Sequence, residues 1–219
     1  KTFSRGIDFT VEGFYKKMEG LLDFKDGTTF FLNTGSISEK VTTGDGMAKG
    51  VEMMLQKQVG KTQGWISYTW SKSDRIFQEI NNGEPFPFIF DRRHDFSVLI
   101  NQQVGPRWNF SATWIYLTGR AVTLPVSTFV ENVVIPSDRI INNPDLIEYS
   151  TRNAYRFKPY HRLDISANYE KTTKWGGHRF SVSVYNLYNR QNTFFLSQDP
   201  GSASDGSIQL IDNPLFPLI

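Results

Sequence analysis

Apolar and polar residues alternate along most of this chain with a period of two. Over residues 6–16, Ile7, Phe9, Val11 and Tyr15 fall on one side and Asp8, Thr10, Glu12 and Lys16 on the other, with Phe14 out of step. The pattern returns in 50–58 (Val51, Met53 and Leu55 against Glu52, Gln56 and Gln58) and in 64–74 (Ile66, Tyr68 and Trp70 against Ser67, Thr69 and Ser71). It returns in 93–103 (Phe96, Val98 and Ile100 against Ser97, Asn101 and Gln103) and in 107–117 (Trp108, Phe110, Ala112, Trp114 and Tyr116 against Asn109, Ser111 and Thr113). It closes in 160–170 (Leu163, Ile165, Ala167 and Tyr169 against Arg162, Asp164, Ser166 and Asn168) and in 178–189 (Phe180, Val182 and Val184 against Arg179, Ser181 and Ser183). Successive side chains of a strand point to opposite faces, so each segment reads as a β-strand with one apolar face. Seven strands are predicted, several longer than the usual five or six residues, and no segment shows a helical period.

The connections alternate in length. Short turns are expected at 59–64, 103–107 and 171–177, and long connections at about 20–47, 75–91 and 121–158, with a tail from about 192. That is an up-and-down antiparallel meander. Long loops are unusual inside a compact soluble domain but normal on the outer side of a bacterial outer-membrane barrel. A soluble β-protein buries its apolar face, whereas such a barrel turns it to lipid. Aromatic placement favours lipid: Trp108, Phe110, Tyr169 and Phe180 lie near the short turns and Trp70, Tyr116 and Tyr188 near the long loops, flanking a belt of Val, Ile, Leu and Ala. The lipid face is therefore expected to hold Ile7, Phe9, Val11, Val51, Met53, Leu55, Ile66, Tyr68, Val98, Ile100, Trp114, Ile165, Val182 and Val184.

Two of these strands open on an Arg-x-Asp step, Arg93–Asp95 and Arg162–Asp164. Parity puts all four residues on the polar, lumen face near the loop end, with Asp8, Glu12, Glu52, Glu170 and Arg179 on the same face. The two steps are expected to form ion pairs, joined in a ladder at one height, that line a solute path, seat a plug, or only brace the wall. Ligand contacts are expected on the loops, in the stretches "FPFIFDRR" (86–93) and "YSTRNAYRF" (149–157): Phe86, Phe88, Phe90, Arg92, Tyr149, Arg152, Tyr155 and Arg156.

Composition narrows the picture. The 219 residues are 39% hydrophobic and 15% aromatic, the mean hydropathy is −0.39, and no run approaches the ~18 apolar residues of a membrane helix. The net charge of +2 without a basic block gives no nucleic-acid surface. Cysteine is absent, which removes disulfides and Cys-ligated metal. His94, His161 and His178 lack ligand spacing, "GDGMAKG" (44–50) opens no helix, and no Gly-x-Ser-x-Gly occurs. No cofactor and no enzyme activity are expected. The opening "KTFSRGIDFTVEGFY" starts inside a strand pattern and suggests a piece of a longer protein.

The segments "GVEMMLQKQVGKTQGWISYTWSKSDR" (50–75), "PFPFIFDRRHDFS" (85–97), "WIYLTGRAVTLP" (114–125), "RNAYRFKPYHRLDIS" (152–166) and "YNLYNRQNTFF" (185–195) resemble, in order, the C-terminal barrel of Bacteroidetes-type TonB-dependent outer-membrane receptors. The chain departs from that pattern at Ala48-Lys49, at Phe157-Lys158 and at Thr193, and it stops at "NPLFPLI" (213–219), before the closing strand. The resemblance implies that 1–219 is all-β, the C-terminal part of a transmembrane barrel: about seven strands of a 22-stranded wall, with the plug domain, the earlier strands and the closing strand outside this sequence. Its implied partners are outer-membrane lipid, the remaining strands and plug of the same receptor, and an inner-membrane TonB-type energy complex reached through the plug; a surface lipoprotein is a further candidate. The seven strands leave two open edges that lipid cannot satisfy, and Pro214 and Pro217 argue against 206–219 as an eighth wall strand. Three functions follow: an energy-coupled importer of a siderophore, peptide or glycan; a passive pore or structural barrel; and a soluble secreted β-protein that binds ligand through long loops.

Overall fold

The computed structural model describes residues 2, 3, 6–26, 36–129, 132–134, 140–142, 146–198 and 210–214. Seven long strands form the meander: β1 (Ile7–Phe24), β2 (Val41–Lys57), β3 (Thr62–Phe77), β4 (His94–Val104), β5 (Trp108–Leu117), β6 (Tyr160–Thr173) and β7 (Gly176–Val184). Each pairs antiparallel with its predecessor. Two short strands, Thr2–Phe3 and Phe86–Pro87, join the same sheet on β1 and β3. Among the described residues β7 has no second neighbour, so the sheet is not closed.

The register fixes the faces. Val11, Met53, Tyr68, Phe96, Tyr116 and His161 form one row across six strands, and Ile100, Ala112, Ile165 and Val184 form another. Carried through the ladders, it puts all fourteen residues expected to face lipid on a single face. Aromatic rings bound this face at both ends. Toward the loops, Phe96–Trp114, Trp114–Tyr116, Tyr116–His161 and His161–Tyr188 are successive ring contacts of 5.5–6.4 Å between centroids. Toward the turns, Trp108 meets Phe110 at 5.8 Å and Tyr169 at 4.9 Å. From Trp108 to Tyr116 the chain climbs eight residues, about 27 Å along the strand and about 20 Å along the axis of a barrel with strands tilted by about 40°.

Phe14, the residue out of step, sits on the polar face. A Cβ on its partner Gly50 would stand 2.6 Å from the Phe14 ring, so the ring occupies the space the glycine leaves. A bulge between Met18 and Leu21, with Gly20 at φ 66°, then reverses the parity of β1. Glycine adopts that left-handed backbone at no steric cost. The reversal carries Leu21 onto the polar face, where it packs on a small core of Phe77, Ile80 and Phe86 at the loop end.

Turns fall at 58–61, 105–107 and 174–175, inside or within a residue of the predicted spans. The long connections are more ordered than the sequence suggested. β1 and β2 run to Phe24 and from Val41, so their connection is far shorter than 20–47. Among the described residues between 121 and 156, Ala121–Val122 pairs antiparallel with Tyr155–Arg156, Pro125–Phe129 with Leu146–Tyr149, and Asn132–Val134 with Ile140–Asn142, in the nested order of a hairpin. Past β7, Thr193–Gln198 pairs with Leu210–Pro214 and not with the wall; 215–219 lie outside the described residues.

Candidate functional site: a two-faced wall and its loop end

The polar face is built for water. Glu12 and Glu52 are direct cross-strand partners on it, a like-charge contact that destabilises a sheet unless water or a cation reaches it. Glu170 and Arg179 oppose each other there and bond at 2.7 Å. Asn101 and Ser111, also partners, share a hydrogen bond of 2.7 Å.

At the loop end one carboxylate ties two connections to the end of β3. Asp91 is 1% exposed. Its Oδ1 accepts the Ser73 backbone N–H at 2.7 Å, and its Oδ2 takes the guanidinium of Arg156 and, at 3.5 Å, that of Arg93. Arg156 also donates to the carbonyls of Asp91 (2.7 Å) and Gly119 (3.3 Å). Gly119 must be glycine, because a Cβ there would stand 1.8 Å from the Phe157 carbonyl oxygen. Asn153 adds a second tie, donating to the Pro87 carbonyl at 2.9 Å.

A second hub gathers Arg152, whose guanidinium bonds Asp23 (3.2 Å) and Asp26 (3.3 Å) while its backbone N–H reaches the Asn81 side chain (3.3 Å). Beside it, Lys25 bonds Glu79 at 2.8 Å; that bond, and then the Thr42 hydroxyl, hold the Glu79 carboxyl below the usual carboxylate range. These residues border an open cavity of about 600 Å³, lined by Phe24, Asp26, Asn81, Asn82, Tyr149 and Arg152 among others.

A family model described as TonB dependent receptor-like, beta-barrel, matches residues 1–187. The chain belongs to that family. No curated protein and no solved structure matches it. The family is one of outer-membrane receptor barrels, and in such barrels a banded apolar face is the side that meets lipid and a polar face lines the lumen. The match removes the ground for reading the chain as a soluble secreted β-protein.

Within the receptor wall the predicted site residues have different fates. Arg162 and Asp164 pair as expected, at 2.9 Å, with the Asp164 carboxylate also accepting the Asn186 N–H at 2.9 Å. Arg162 lies over the Tyr185 ring at 4.1 Å and donates to the Tyr160 and Tyr185 hydroxyls. The expected Arg93–Asp95 pair is corrected: Arg93 turns to Asp91, which offers an almost water-free carboxylate two residues away. The ladder at one height does not form either. Asp95 is level with Leu117 and Tyr160, so Arg162 and Asp164 stand two and four residues farther along the wall. Asp138, which the sequence places in an outer loop, lies outside the described residues.

Of the loop candidates, Phe86 is 2% exposed in the core against Phe77 and offers no surface to a ligand. Arg156 is spent on Asp91. Phe88 is half-buried, with the Arg75 guanidinium 4.2 Å above its ring and Phe90 edge-on at 5.4 Å. Phe90 itself is 64% exposed. The Arg92 carbonyl accepts the Ser71 hydroxyl at 2.9 Å, and Tyr155 is exposed on the hairpin. Of these candidates Tyr149 and Arg152 line the cavity, whereas Phe88 and Phe90 touch each other outside it. Sequence reasoning passed over Asp91, Asn153, Gly119 and Asn192, whose side chain bonds both the N–H and the carbonyl of His161 at 3.1 Å.

Proposed function

We propose that the chain is part of the wall of an energy-coupled outer-membrane importer, with its long loops outside the cell and its short turns in the periplasm. The observation that carries this reading is the division of one sheet into two faces. An apolar belt between two aromatic rows faces one way, and a charged face with Glu12 opposite Glu52 faces the other. A soluble domain would cover the apolar belt with other elements, but among the described residues Val11, Leu55, Ile100 and Val182 of that belt are exposed. The open edge of β7 supports further wall strands beside it, and the polar face suits a plug domain. Coupling then runs through the plug to a TonB-type complex of the inner membrane, and outer-membrane lipid and a surface lipoprotein complete the set of partners. Abolished uptake on collapse of the proton-motive force supports coupling; undiminished uptake identifies a passive pore.

The cavity beside Arg152 is the candidate ligand contact, for a siderophore, a peptide or a glycan. Bonds to a charged group contribute about 1.5–3 kcal/mol, so Arg152→Ala should weaken ligand binding tenfold or more. Phe88→Ala, which lies outside that cavity, should weaken it less. Binding by whole cells across the three ligand classes measures this, and wild-type affinity in the Arg152 variant discards the cavity as the site.

A further inference from the structure

Lysines gather on the lipid side of the wall where the apolar belt ends. Lys49 of β2 and Lys72 of β3 are direct cross-strand partners, and Tyr15 of β1 completes their row. Lys17 stands two residues farther toward the loops on β1, on the same face and diagonal to Lys49. Immediately below this row come Val51 and Trp70, themselves partners. The lysines therefore begin at the level of the rim aromatics.

Opposed like charges on one face of a sheet repel. Lys72 is relieved by Asp74 at 2.7 Å, but among the described residues no carboxylate pairs with Lys17 or Lys49, both of which are exposed. The other acids near them stand farther out: Asp45 is four residues beyond Lys49 on β2, and Glu19 lies in the β1 bulge. At the opposite end of this face, by contrast, the Lys57 ammonium of β2 is held by the Thr62 carbonyl at 2.9 Å.

We propose that Lys17, Lys49 and Lys72 form a binding row for the phosphate groups of the glycolipid in the outer leaflet. The inference rests on the orientation given above, with the loops outside. Rim aromatics mark the depth of the membrane interface, so side chains level with them and just above them meet headgroups and not acyl chains. Adjacent strands are about 4.8 Å apart, a spacing that one phosphate dianion bridges by accepting from two ammonium groups. The long lysine stems can lie along the belt while their charged ends reach outward. The acyl chains of the same lipid would lie on Val11, Val51, Met53 and Leu55, directly beneath.

The test uses the complete receptor, purified in detergent, with bisphosphorylated lipid A and its dephosphorylated form as probes. Each lysine near a charged membrane surface contributes about 1 kcal/mol, so retention of bisphosphorylated lipid A should fall about fivefold per lysine in Lys49→Gln and in the Lys17→Gln, Lys49→Gln double variant. Lys49→Arg should retain it, Lys57→Gln should match the wild type, and the dephosphorylated form should bind all variants alike. Heat-modifiable gel migration verifies that each variant is folded. Equal retention in wild type and double variant overturns the inference and leaves the wall reading intact. Loss in Lys57→Gln in place of Lys49→Gln shows the orientation itself to be inverted, and both readings fall. Displacement of the lipid by equimolar inorganic phosphate marks a site for soluble anions and also overturns the inference.

Discussion

Asp91→Ala should be the most damaging single substitution in the loop scaffold. It removes a carboxylate with 1% exposure and strands the Arg156 and Arg93 guanidiniums and the Ser73 N–H. Deleting one partner of a buried pair costs about 3–5 kcal/mol; the surviving Arg156 and Arg93 side chains are 29% and 33% exposed and recover part of that from water, so the lower end of the range is expected. The damage should be local to the loop end, since the one wall-strand group bonded to the Asp91 carboxylate is the Ser73 N–H, near the loop end of β3. The expected result is loss of amide protection in 86–93 and 119–123 by hydrogen exchange while β5 and β6 stay protected, with a lower temperature for the heat-modifiable shift. Asp164→Ala should do less: its carboxylate loses Arg162 and the Asn186 N–H, but its side chain is 25% exposed and water can replace them. A larger effect at Asp164 than at Asp91 would mean that the buried hub is not what ties the loops.

Val98→Arg is the second large effect. Val98 lies on the banded face between Ile66 and Trp114, and an arginine on the lipid side near the midplane costs about 2–4 kcal/mol. Asn101, three residues on, points to the other face and accepts the Ser111 hydroxyl. Asn101→Lys should therefore cost only about 0.5–1.5 kcal/mol, the worth of one hydrogen bond. Urea unfolding of the receptor in lipid vesicles compares the two. The same strand then gives opposite answers at two nearby positions, which a face buried in protein on both sides would not do.

What could be read from the chain follows from the range of the forces involved. Alternation is a local property, so β3, β4, β5 and β6 and the facing of Val98 or Ile165 were legible from neighbours two residues away. The extension of β1 to Phe24 was not, because the Gly20 bulge reverses parity and hides the strand behind an apparent break. Gly44, Gly46 and Gly50 obscured β2 in the same way: they look like loop residues, yet each makes room for a side chain from a neighbouring strand, Phe77, Leu21 and Phe14 respectively. The Arg162–Asp164 pair was legible because both residues lie on one face of one strand. The choice of Asp91 by Arg93 was not, since the Asp91 carboxylate is buried in a hub shared with Arg156, 65 residues later. The Arg152 cavity was half visible: the sequence pointed to Tyr149 and Arg152 but gave no sign of Asp23, at the end of β1, or of Asp26 and Asn81, from two other connections.

The central claim, that one face of this sheet meets lipid and the other an aqueous lumen, is tested most directly by single cysteines at 96, 97, 98, 100 and 101 of β4. The chain has no cysteine of its own, so each replacement reports only its own position within it. In the receptor embedded in native outer membrane, a bilayer-dissolved quencher should reach a label at 96, 98 and 100, and a charged, water-soluble thiol reagent should modify 97 and 101. Quenching that rises and falls with a period of two is the predicted result. Equal access at all five positions, or access with the opposite parity, would contradict the account.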